Sequence, residues 1–233
     1  MKNNESYITP ANLLLPGLRA FFTTRILTAE TEDIVEAVSK NSDISKLDIY
    51  LPIQKHTADV HVLGDDIQPV ISDAVITDRR KILIGIRVAD CIPVLLFDLK
   101  AGIIAAVHAG WRGTAAHILI NTIEKMQTTF NCSPRDISVA IGPGIGICSY
   151  EVNQEVKDQV VKASGSGDYF RQKGEKFHID LKEANRLQAL NSGIQKDRIW
   201  ISDECTYCNP DKYYSYRLDN TISGRQGGFI GIW

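Results

Sequence analysis

The stretch Arg87–Gly113, which reads RVADCIPVLLFDLKAGIIAAVHAGWRG, decides the fold of this chain. It contains two apolar runs, IPVLLFD at 92–98 and GIIAAVHA at 102–109, with turn-forming residues between them. Runs that are apolar almost throughout are typical of strands covered on both faces of a sheet. The stretch therefore predicts two neighbouring buried strands, with Cys91 at the start of the first and His108 near the end of the second.

Helices and further strands are predicted on both sides of this stretch. A helix of about 15 residues is predicted after it by apolar residues at helical spacing, namely Ile118, Leu119, Thr122, Ile123 and Met126. Two more helices are predicted over 149–163 and 180–193, the second with Asp180 as its N-cap and Gly193 as its C-terminal stop. Further strands are predicted over 73–78, 81–90, 137–146, 198–203, 213–219 and 227–233.

These elements together predict an α/β fold, a layered sandwich in which helices flank one mixed sheet or two packed sheets. We expect a single domain over residues 1–233, because that length is ample for one sizeable core.

The composition is that of an ordinary globular protein, with 44% hydrophobic and 23% charged residues and a net charge of −2. Such a charge provides no general field to attract nucleic acid or an acidic membrane. The N-terminal segment MKNNESYITPANLLLPG has no apolar run long enough for a signal peptide, and no stretch approaches the length of a membrane span. We therefore expect a cytoplasmic protein without nucleic-acid or membrane partners. We also expect a monomer that acts on a small-molecule substrate. The five cysteines, an odd number, argue against a disulfide framework and favour metal ligation, catalysis or burial.

Cys91 and His108 are candidate metal ligands because neighbouring strands bring their ends together. A further histidine follows an upstream apolar run, and either His56 or His61 fits this position. Two imidazoles and one thiolate suit zinc, and three protein ligands leave a coordination position free, as in catalytic zinc sites. The same residues also fit a metal-free reading in which the Cys91 thiolate is a nucleophile and His108 its base. That reading needs a carboxylate or an amide to orient the histidine, and Asp90 and Asp59 are candidates.

Two other motifs are informative. In HAGWRGT (108–114), glycines flank Trp111 and Arg112 before a helix, so Arg112 is a candidate to bind a phosphate or carboxylate. The alternative is a tight strand-to-helix turn with an exposed arginine. CTYC (205–208) is the only C-x-x-C segment. We expect a structural or incidental role for it, because a zinc knuckle needs a second such pair.

The motifs in combination resemble the bacterial YfiH-type proteins, also called the laccase-domain or polyphenol-oxidase-like family. The resemblance runs from about residue 21 to the C-terminus. It is carried by QKH (54–56), ADCIPVLLFD (89–98), AAVHAGWRGT (105–114), IGPGIGICSYEV (141–152), DECT (203–206) and YYSYRLDNTISGR (213–225).

The resemblance implies a layered sandwich with a deep pocket and a metal ion held by His56, Cys91 and His108. It also implies that Gln54, in QKH, and Arg25, in FFTTR, contact the substrate. The chain departs from the family pattern in its first loop. Thr57 replaces the usual glycine after the histidine, and ILTAE (26–30) follows FFTTR where glycines are usual.

The activities that the resemblance implies are phosphorolysis of adenosine, inosine or guanosine and deamination of adenosine. Zinc suits deamination because it activates water for attack on the purine C6. Arg25 and Arg112 are expected to hold phosphate against the sugar C1′, and Asp90 is expected to shuttle protons.

Three alternatives stand beside this reading. Copper-dependent polyphenol oxidation is less well supported, because five histidines are too few for a multi-copper centre. A cytoplasmic amide hydrolase acting on peptidoglycan precursors would use the same zinc site or the Cys91 thiolate. A non-catalytic metal-binding protein would have a closed site with four ligands.

Overall fold

Three β-sheets form the framework of the computed structural model of this protein, which describes residues 6–28, 31, 33–220 and 224–233. The first sheet has five strands. In spatial order they are β1 (Tyr7–Ile8), β2 (Leu18–Thr23), β14 (Gln226–Ile232), β6 (Leu83–Val88) and β3 (Ile49–Tyr50). The pairing is antiparallel except between β3 and β6, so this sheet is mixed.

The second sheet has six strands and contains the two apolar runs at 92–98 and 102–109. In spatial order its strands are β13 (Ile199–Ile201), β9 (Ile137–Ile141), β7 (Ile92–Asp98), β8 (Ile103–Ala109), β5 (Ala74–Thr77) and β4 (Val60–Val62). It is mixed as well, because β13–β9 and β4–β5 are parallel while the central pairs are antiparallel. A small antiparallel sheet consists of β10 (Glu151–Val152), β12 (Lys176–Ile179) and β11 (Phe170–Lys173).

Six α-helices lie in the described part of the chain. They are α1 (Ile34–Ser42), α2 (Trp111–Ala115), α3 (Ile118–Phe130), α4 (Gln154–Ser164), α5 (Leu181–Asn191) and α6 (Tyr216–Asp219). Short 3₁₀ turns occur at Ala11–Leu13, Lys46–Asp48 and Lys196–Arg198. Among the helices of the described residues, none has the length and apolar character that crossing a bilayer requires.

The two large sheets pack face to face, and helices cover their outer faces. Alternate residues along each strand point to opposite sides, which sorts the apolar side chains into separate clusters. The cluster between the sheets includes Phe22, Val75, Ile84, Ile86, Leu95, Phe97, Ile104 and Ile230. Helix α1 packs on the outer face of the first sheet, against Leu83 and Phe229. Helices α3 and α5 pack on the outer face of the second, against Ile76, Val94, Leu96 and Val107. The predicted α/β layered sandwich is confirmed.

Local signals fixed several element boundaries. Asp180 caps α5 by accepting hydrogen bonds from the backbone N–H groups of Lys182 and Glu183, as predicted. Gly193 follows that helix with φ of 89°, a conformation that favours glycine. The single helix expected after Gly113 is interrupted: α2 ends at Ala115 and α3 begins at Ile118, because His117 adopts φ of 64° between them.

Two predicted elements differ from the structure. The strand predicted over 213–219 is wrong, because this segment contains no strand and ends in the short helix α6. The Ser215 side chain accepts a hydrogen bond from the Leu218 N–H, and the Arg217 N–H donates to Asp90, so the backbone turns instead of extending. The segment 149–163 contains β10 before the helix, because the Asn153 side chain caps α4. The single domain expected over residues 1–233 stays a prediction.

Candidate metal centre and its cavity

Two central strands of the six-stranded sheet bring Cys91 and His108 to one edge. Cys91 directly precedes β7, and His108 lies near the end of β8. The antiparallel register places Pro93 opposite His108 and Ile92 opposite Ala109. The expectation that these two strand ends are neighbours is therefore confirmed.

A loop between β3 and β4 supplies His56, and Asp73 holds that loop in place. The backbone N–H groups of Lys55, His56 and Thr57 donate to the Asp73 carboxylate at 3.1, 3.0 and 2.7 Å. The Thr57 hydroxyl donates to the same carboxylate at 2.9 Å. His56 has φ of 59°, the left-handed region, and these hydrogen bonds compensate for that conformation.

The three predicted ligands form one cluster. A side-chain donor atom from each of His56, Cys91 and His108 lies within 4.8 Å of the other two. Cys91 Sγ is 3.9 Å from His56 Nε2, and the two imidazole rings meet edge to face with centroids 4.8 Å apart. His61 lies elsewhere, on β4, where its ring stacks on Tyr50. Of the two upstream histidines, His56 is therefore the one that lies with Cys91 and His108.

Asp73 also orients His108, a contact that the sequence analysis missed. Its Oδ1 is 2.6 Å from His108 Nδ1, and both side chains are buried. Because this hydrogen bond occupies Nδ1, the other ring nitrogen of His108, Nε2, is left free to act as the ligand atom. A carboxylate in this position is the usual partner of a metal-ligating histidine. The expectation that Asp90 or Asp59 orients the imidazole is therefore wrong. Asp73 was detectable only as an acidic residue at the start of an apolar run.

Electrostatic coupling within the cluster favours charged side chains. Burial opposes the thiolate of Cys91, but His108 and His56 outweigh it and lower the pKa of this thiol to about 6. Burial also opposes the imidazolium of His108, yet the Cys91 thiolate and Asp73 raise its pKa to about 9. Although burial alone would raise the pKa of Asp73, its hydrogen bonds from His108 and from the backbone hold that pKa well below the usual range. The surroundings of Cys91 therefore favour its thiolate, the form that binds cations.

The donor set fits a zinc or a copper ion. Two imidazole nitrogens and one thiolate sulfur are ligands that both metals accept, whereas calcium and magnesium prefer oxygen. His56 is exposed and Cys91 is partly exposed, so one side of the cluster is open. Gly110 makes room for this approach, because a Cβ there would lie 2.9 Å from Cys91 Sγ and 3.3 Å from His56 Cδ2.

The open side of the cluster faces a cavity of about 1010 Å³. This volume is at the upper end of the range for small-molecule sites. Four arginines line it: Arg87, Arg112, Arg217 and Arg225. All four side chains are exposed, so the cavity concentrates positive charge beside the cluster and attracts anionic ligands.

Aromatic rings lie among these arginines. The guanidinium of Arg112 lies 4.5 Å from the ring centroid of Trp111, and that of Arg217 lies 5.2 Å from the ring of Tyr150. Arg217 also donates to the Glu151 carbonyl at 3.0 Å. Tyr216, which lines the cavity as well, is 56% exposed. An exposed ring of this kind offers a surface on which a planar ligand can stack.

Gln54 and Arg25 occupy different environments. Gln54 lines the cavity, and its amide exchanges two hydrogen bonds of 2.8 Å with the backbone of Arg87. Arg25 is not among the described residues that line the cavity. Its guanidinium donates to the Pro210 carbonyl and lies 4.8 Å from the ring centroid of Tyr214. The structure thus separates Arg25 from Arg112, the other residue expected to hold phosphate.

Asp90 lines the cavity, but its carboxylate is occupied. It accepts hydrogen bonds from Thr206 Oγ1 at 2.6 Å, Ser215 Oγ at 3.1 Å and the Arg217 N–H at 2.7 Å. The residue is buried and has φ of 81°. These contacts make Asp90 a tether between the start of β7 and the loops over the cavity, and they do not favour the expected proton shuttle.

Comparisons with known proteins agree with this architecture. Residues 21–233 match the family model described as Multi-copper polyphenol oxidoreductase laccase. Purine nucleoside phosphorylase of Bacteroides thetaiotaomicron is 36% identical over 191 residues, which cover 76% of this chain and 71% of that protein. Adenosine deaminase RL5, from an unknown prokaryotic organism, is 33% identical over 207 residues, which cover 80% of this chain and 75% of that protein.

A solved structure gives the same result for the fold. The crystal structure of YlmD from Geobacillus stearothermophilus matches with a TM-score of 0.88 and 28% sequence identity. The match covers 100% of this chain and 98% of that one.

Proposed function

The chain belongs to the family described as Multi-copper polyphenol oxidoreductase laccase, and within it we propose a zinc-dependent enzyme that acts on purine nucleosides. It cleaves adenosine, inosine or guanosine with phosphate and deaminates adenosine. The observation that carries this proposal is a cluster of two histidines and one cysteine opening onto a cavity lined by four arginines. The names of relatives in two activity classes, a phosphorylase and a deaminase, support it.

The arginines are the groups that would bind phosphate. Charge-assisted hydrogen bonds from guanidinium to phosphate are among the strongest in proteins. Arg112 is close to the cluster in sequence and lies in the cavity beside Trp111, and Arg217, on α6, lines the same cavity. Phosphate held by these side chains would be positioned to attack the sugar C1′ of a bound nucleoside. The exposed ring of Tyr216 would support the base by stacking.

His56, Cys91 and His108 would hold the zinc ion. When bound, zinc supplies Lewis-acid chemistry at this end of the cavity. The chain's own contribution is preorganisation: Asp73 keeps a proton at Nδ1 of His108 and fixes the loop of His56 at the same time. The Cys91 thiolate provides the negative charge that a cation needs in a partly buried site.

Multi-copper oxidation is a weaker proposal for this chain, despite the family's description. All five histidines are described, and only His56 and His108 belong to a group of potential ligands within the described residues. His61 stacks on Tyr50, and His178 hydrogen-bonds the Ile147 carbonyl. A centre with several coppers needs more imidazoles in contact than this.

The test is a product analysis with the purified, zinc-loaded enzyme. Inosine with phosphate is expected to yield hypoxanthine and ribose phosphate. Adenosine is expected to yield inosine and ammonia by deamination as well as adenine by phosphorolysis, and chromatography separates the products. Zinc should be quantified on the same sample, and Cys91→Ala is the inactive control.

Two outcomes would overturn the proposal. Absence of turnover with every purine nucleoside, together with hydrolysis of an amide in a peptidoglycan precursor, would favour the amide hydrolase. Full nucleoside turnover after zinc removal by a chelator would favour the metal-free nucleophile at Cys91. A cytoplasmic location and a monomeric state stay predictions.

A further inference from the structure

A second group of potential ligands lies outside the candidate metal centre. The sulfur atoms of Cys148, Cys205 and Cys208 all lie within 4.8 Å of one another. Cys148 Sγ is 3.3 Å from Cys208 Sγ, although 60 positions separate the two residues in the chain. Cys205 is buried, whereas Cys148 and Cys208 are exposed. The fold therefore places a third thiol, that of Cys148, beside the CTYC segment (205–208), for which the sequence indicated a structural or incidental role.

Backbone contacts between two loops bring these thiols together. Gly144, in the loop after β9, forms an isolated parallel bridge with Cys205. The Thr206 N–H donates to the Gly144 carbonyl at 3.1 Å, and the Gly146 N–H donates to Cys205 Sγ at 3.1 Å. A Cβ at Gly146 would lie 3.2 Å from Cys148 Sγ and 3.4 Å from Cys205 Sγ. The glycine thus allows the sulfurs of both loops to approach.

The chemistry of this group is that of a site for a soft cation. Thiolates select zinc and monovalent copper, whereas hard cations take oxygen ligands. Zn–S bonds of about 2.3 Å place bound sulfurs about 3.8–4.0 Å apart. The sulfur separations, from 3.3 Å to at most 4.8 Å, span that range. The Ser149 hydroxyl, 3.5 Å from Cys148 Sγ and 3.4 Å from Cys208 Sγ, lies beside the same group.

We propose that Cys148, Cys205 and Cys208 form a second metal site that binds a thiophilic cation, Zn²⁺ or Cu⁺, through three sulfurs. The two exposed thiols provide the entry path, and the buried Cys205 is the innermost ligand. This site is separate from the His56–Cys91–His108 cluster and does not depend on which reaction the enzyme catalyses.

The position of the site indicates what the cation does. Ile145 and Tyr150, from the first loop, line the cavity. Thr206, from the second loop, donates to the Asp90 carboxylate next to Cys91. A cation bound by sulfurs from both loops ties two parts of the cavity wall together without entering the cavity itself.

The test counts metal in reduced protein under anaerobic conditions. After loading with zinc and removal of excess, wild-type protein is expected to retain about two equivalents, and Cys208→Ser about one. Cys91→Ala is expected to lose the other equivalent and keep the three-sulfur site. Cys132→Ala, which changes a buried cysteine outside both groups, is the matched control and should retain both ions. The same series loaded with Cu⁺ under competition by a chelator identifies the preferred cation.

X-ray absorption at the zinc edge of the Cys91→Ala protein should show a sulfur-dominated first shell. Zinc should also protect Cys148 and Cys208 from alkylation in that protein. Equal zinc content in wild type and Cys208→Ser would overturn the proposal. Unprotected alkylation, or a Cys148–Cys208 disulfide in place of bound metal in freshly reduced protein, would overturn it as well. Because the readout is metal content, failure here is distinguishable from failure of the nucleoside assay.

Discussion

Two groups of three ligand atoms, each within 4.8 Å, occur in the same molecule and differ in what surrounds them. In the first, strand ends of the central sheet place Cys91 and His108, and the buried Asp73 anchors the remaining ligand. In the second, Cys148, Cys205 and Cys208 lie on loops joined by an isolated bridge and by the hydrogen bond from Gly146 to Cys205.

The surroundings, and not the number of donors, separate the functions that we propose for the two groups. The first faces a large cavity with four arginines, so a ligand can reach it together with an anion. The second has two exposed thiols at the surface, and residues of its loops contribute to the cavity wall. These surroundings are the basis on which we propose a reactive centre in one place and a structural cation in the other.

The largest effect is expected from breaking the first group. Cys91→Ala removes the only thiolate in it and should abolish tight zinc binding there. Loss of several kcal/mol of transition-state stabilisation corresponds to a decrease in kcat/KM for inosine of about 10³-fold or more. Steady-state kinetics and metal analysis on one sample provide the measurement, with Cys132→Ala as control. Activity within a few-fold of wild type would show that the cluster is not the reactive centre.

Asp73→Asn should have the next largest effect, because it weakens the support of His56 and His108 together. Loss of a carboxylate partner of a ligating histidine typically costs about 10–100-fold in metal affinity. Competition with a chelator measures the zinc affinity, and thermal unfolding shows whether the fold persists. Asp59→Asn, an exposed neighbour, is the matched control. An unchanged zinc affinity in folded Asp73→Asn protein would contradict the role assigned to Asp73.

A comparison of Arg112→Ala with Arg25→Ala tests which of the two arginines binds phosphate. Because Arg112 lines the cavity and Arg25 does not, the KM for phosphate should increase about 10-fold in the first variant and change little in the second. Arg25→Ala should instead lower stability by about 1 kcal/mol, through loss of its contacts with Pro210 and Tyr214. Kinetics at varied phosphate concentration and denaturant unfolding separate the two effects. A larger increase in the KM for phosphate in Arg25→Ala than in Arg112→Ala would assign phosphate binding to Arg25.

Cys208→Ser should have the smallest effect on turnover. A cation that binds only the folded state stabilises it by about 2.7 kcal/mol at a hundredfold excess over Kd. Added zinc should therefore raise the Tm of wild type more than that of Cys208→Ser, while nucleoside turnover changes less than about threefold. Differential scanning calorimetry with and without zinc measures this. The same zinc-dependent increase in Tm in wild type and in Cys208→Ser would contradict the assignment of a structural cation to Cys148, Cys205 and Cys208.

The sequence predicted what short-range patterns determine. The apolar runs around Cys91 and His108 predicted two paired strands, and pairing alone brings these two side chains to one edge. The N-cap at Asp180 was likewise local, since its carboxylate binds N–H groups two and three positions onward. The choice of His56 over His61 required the family resemblance, because both follow the same apolar run.

Contacts between distant segments could not be predicted from the sequence, because short-range patterns carry no information about them. Asp73 is 35 positions from His108, and no periodicity connects them. Cys148 reaches Cys208 because a parallel bridge between Gly144 and Cys205 pairs their loops. The strand predicted over 213–219 failed because the Arg217 N–H finds a tertiary acceptor, Asp90, 127 positions away. Local preference cannot anticipate a partner of that kind.

A single carboxylate, that of Asp73, receives one imidazole and three consecutive backbone amides from the loop of the other imidazole. The two histidines are therefore linked through one side chain. We expect an ion bound by both to move the His56 loop and His108 together. We also expect this link to contribute to discrimination among cations of similar charge, in addition to the choice of donor atoms.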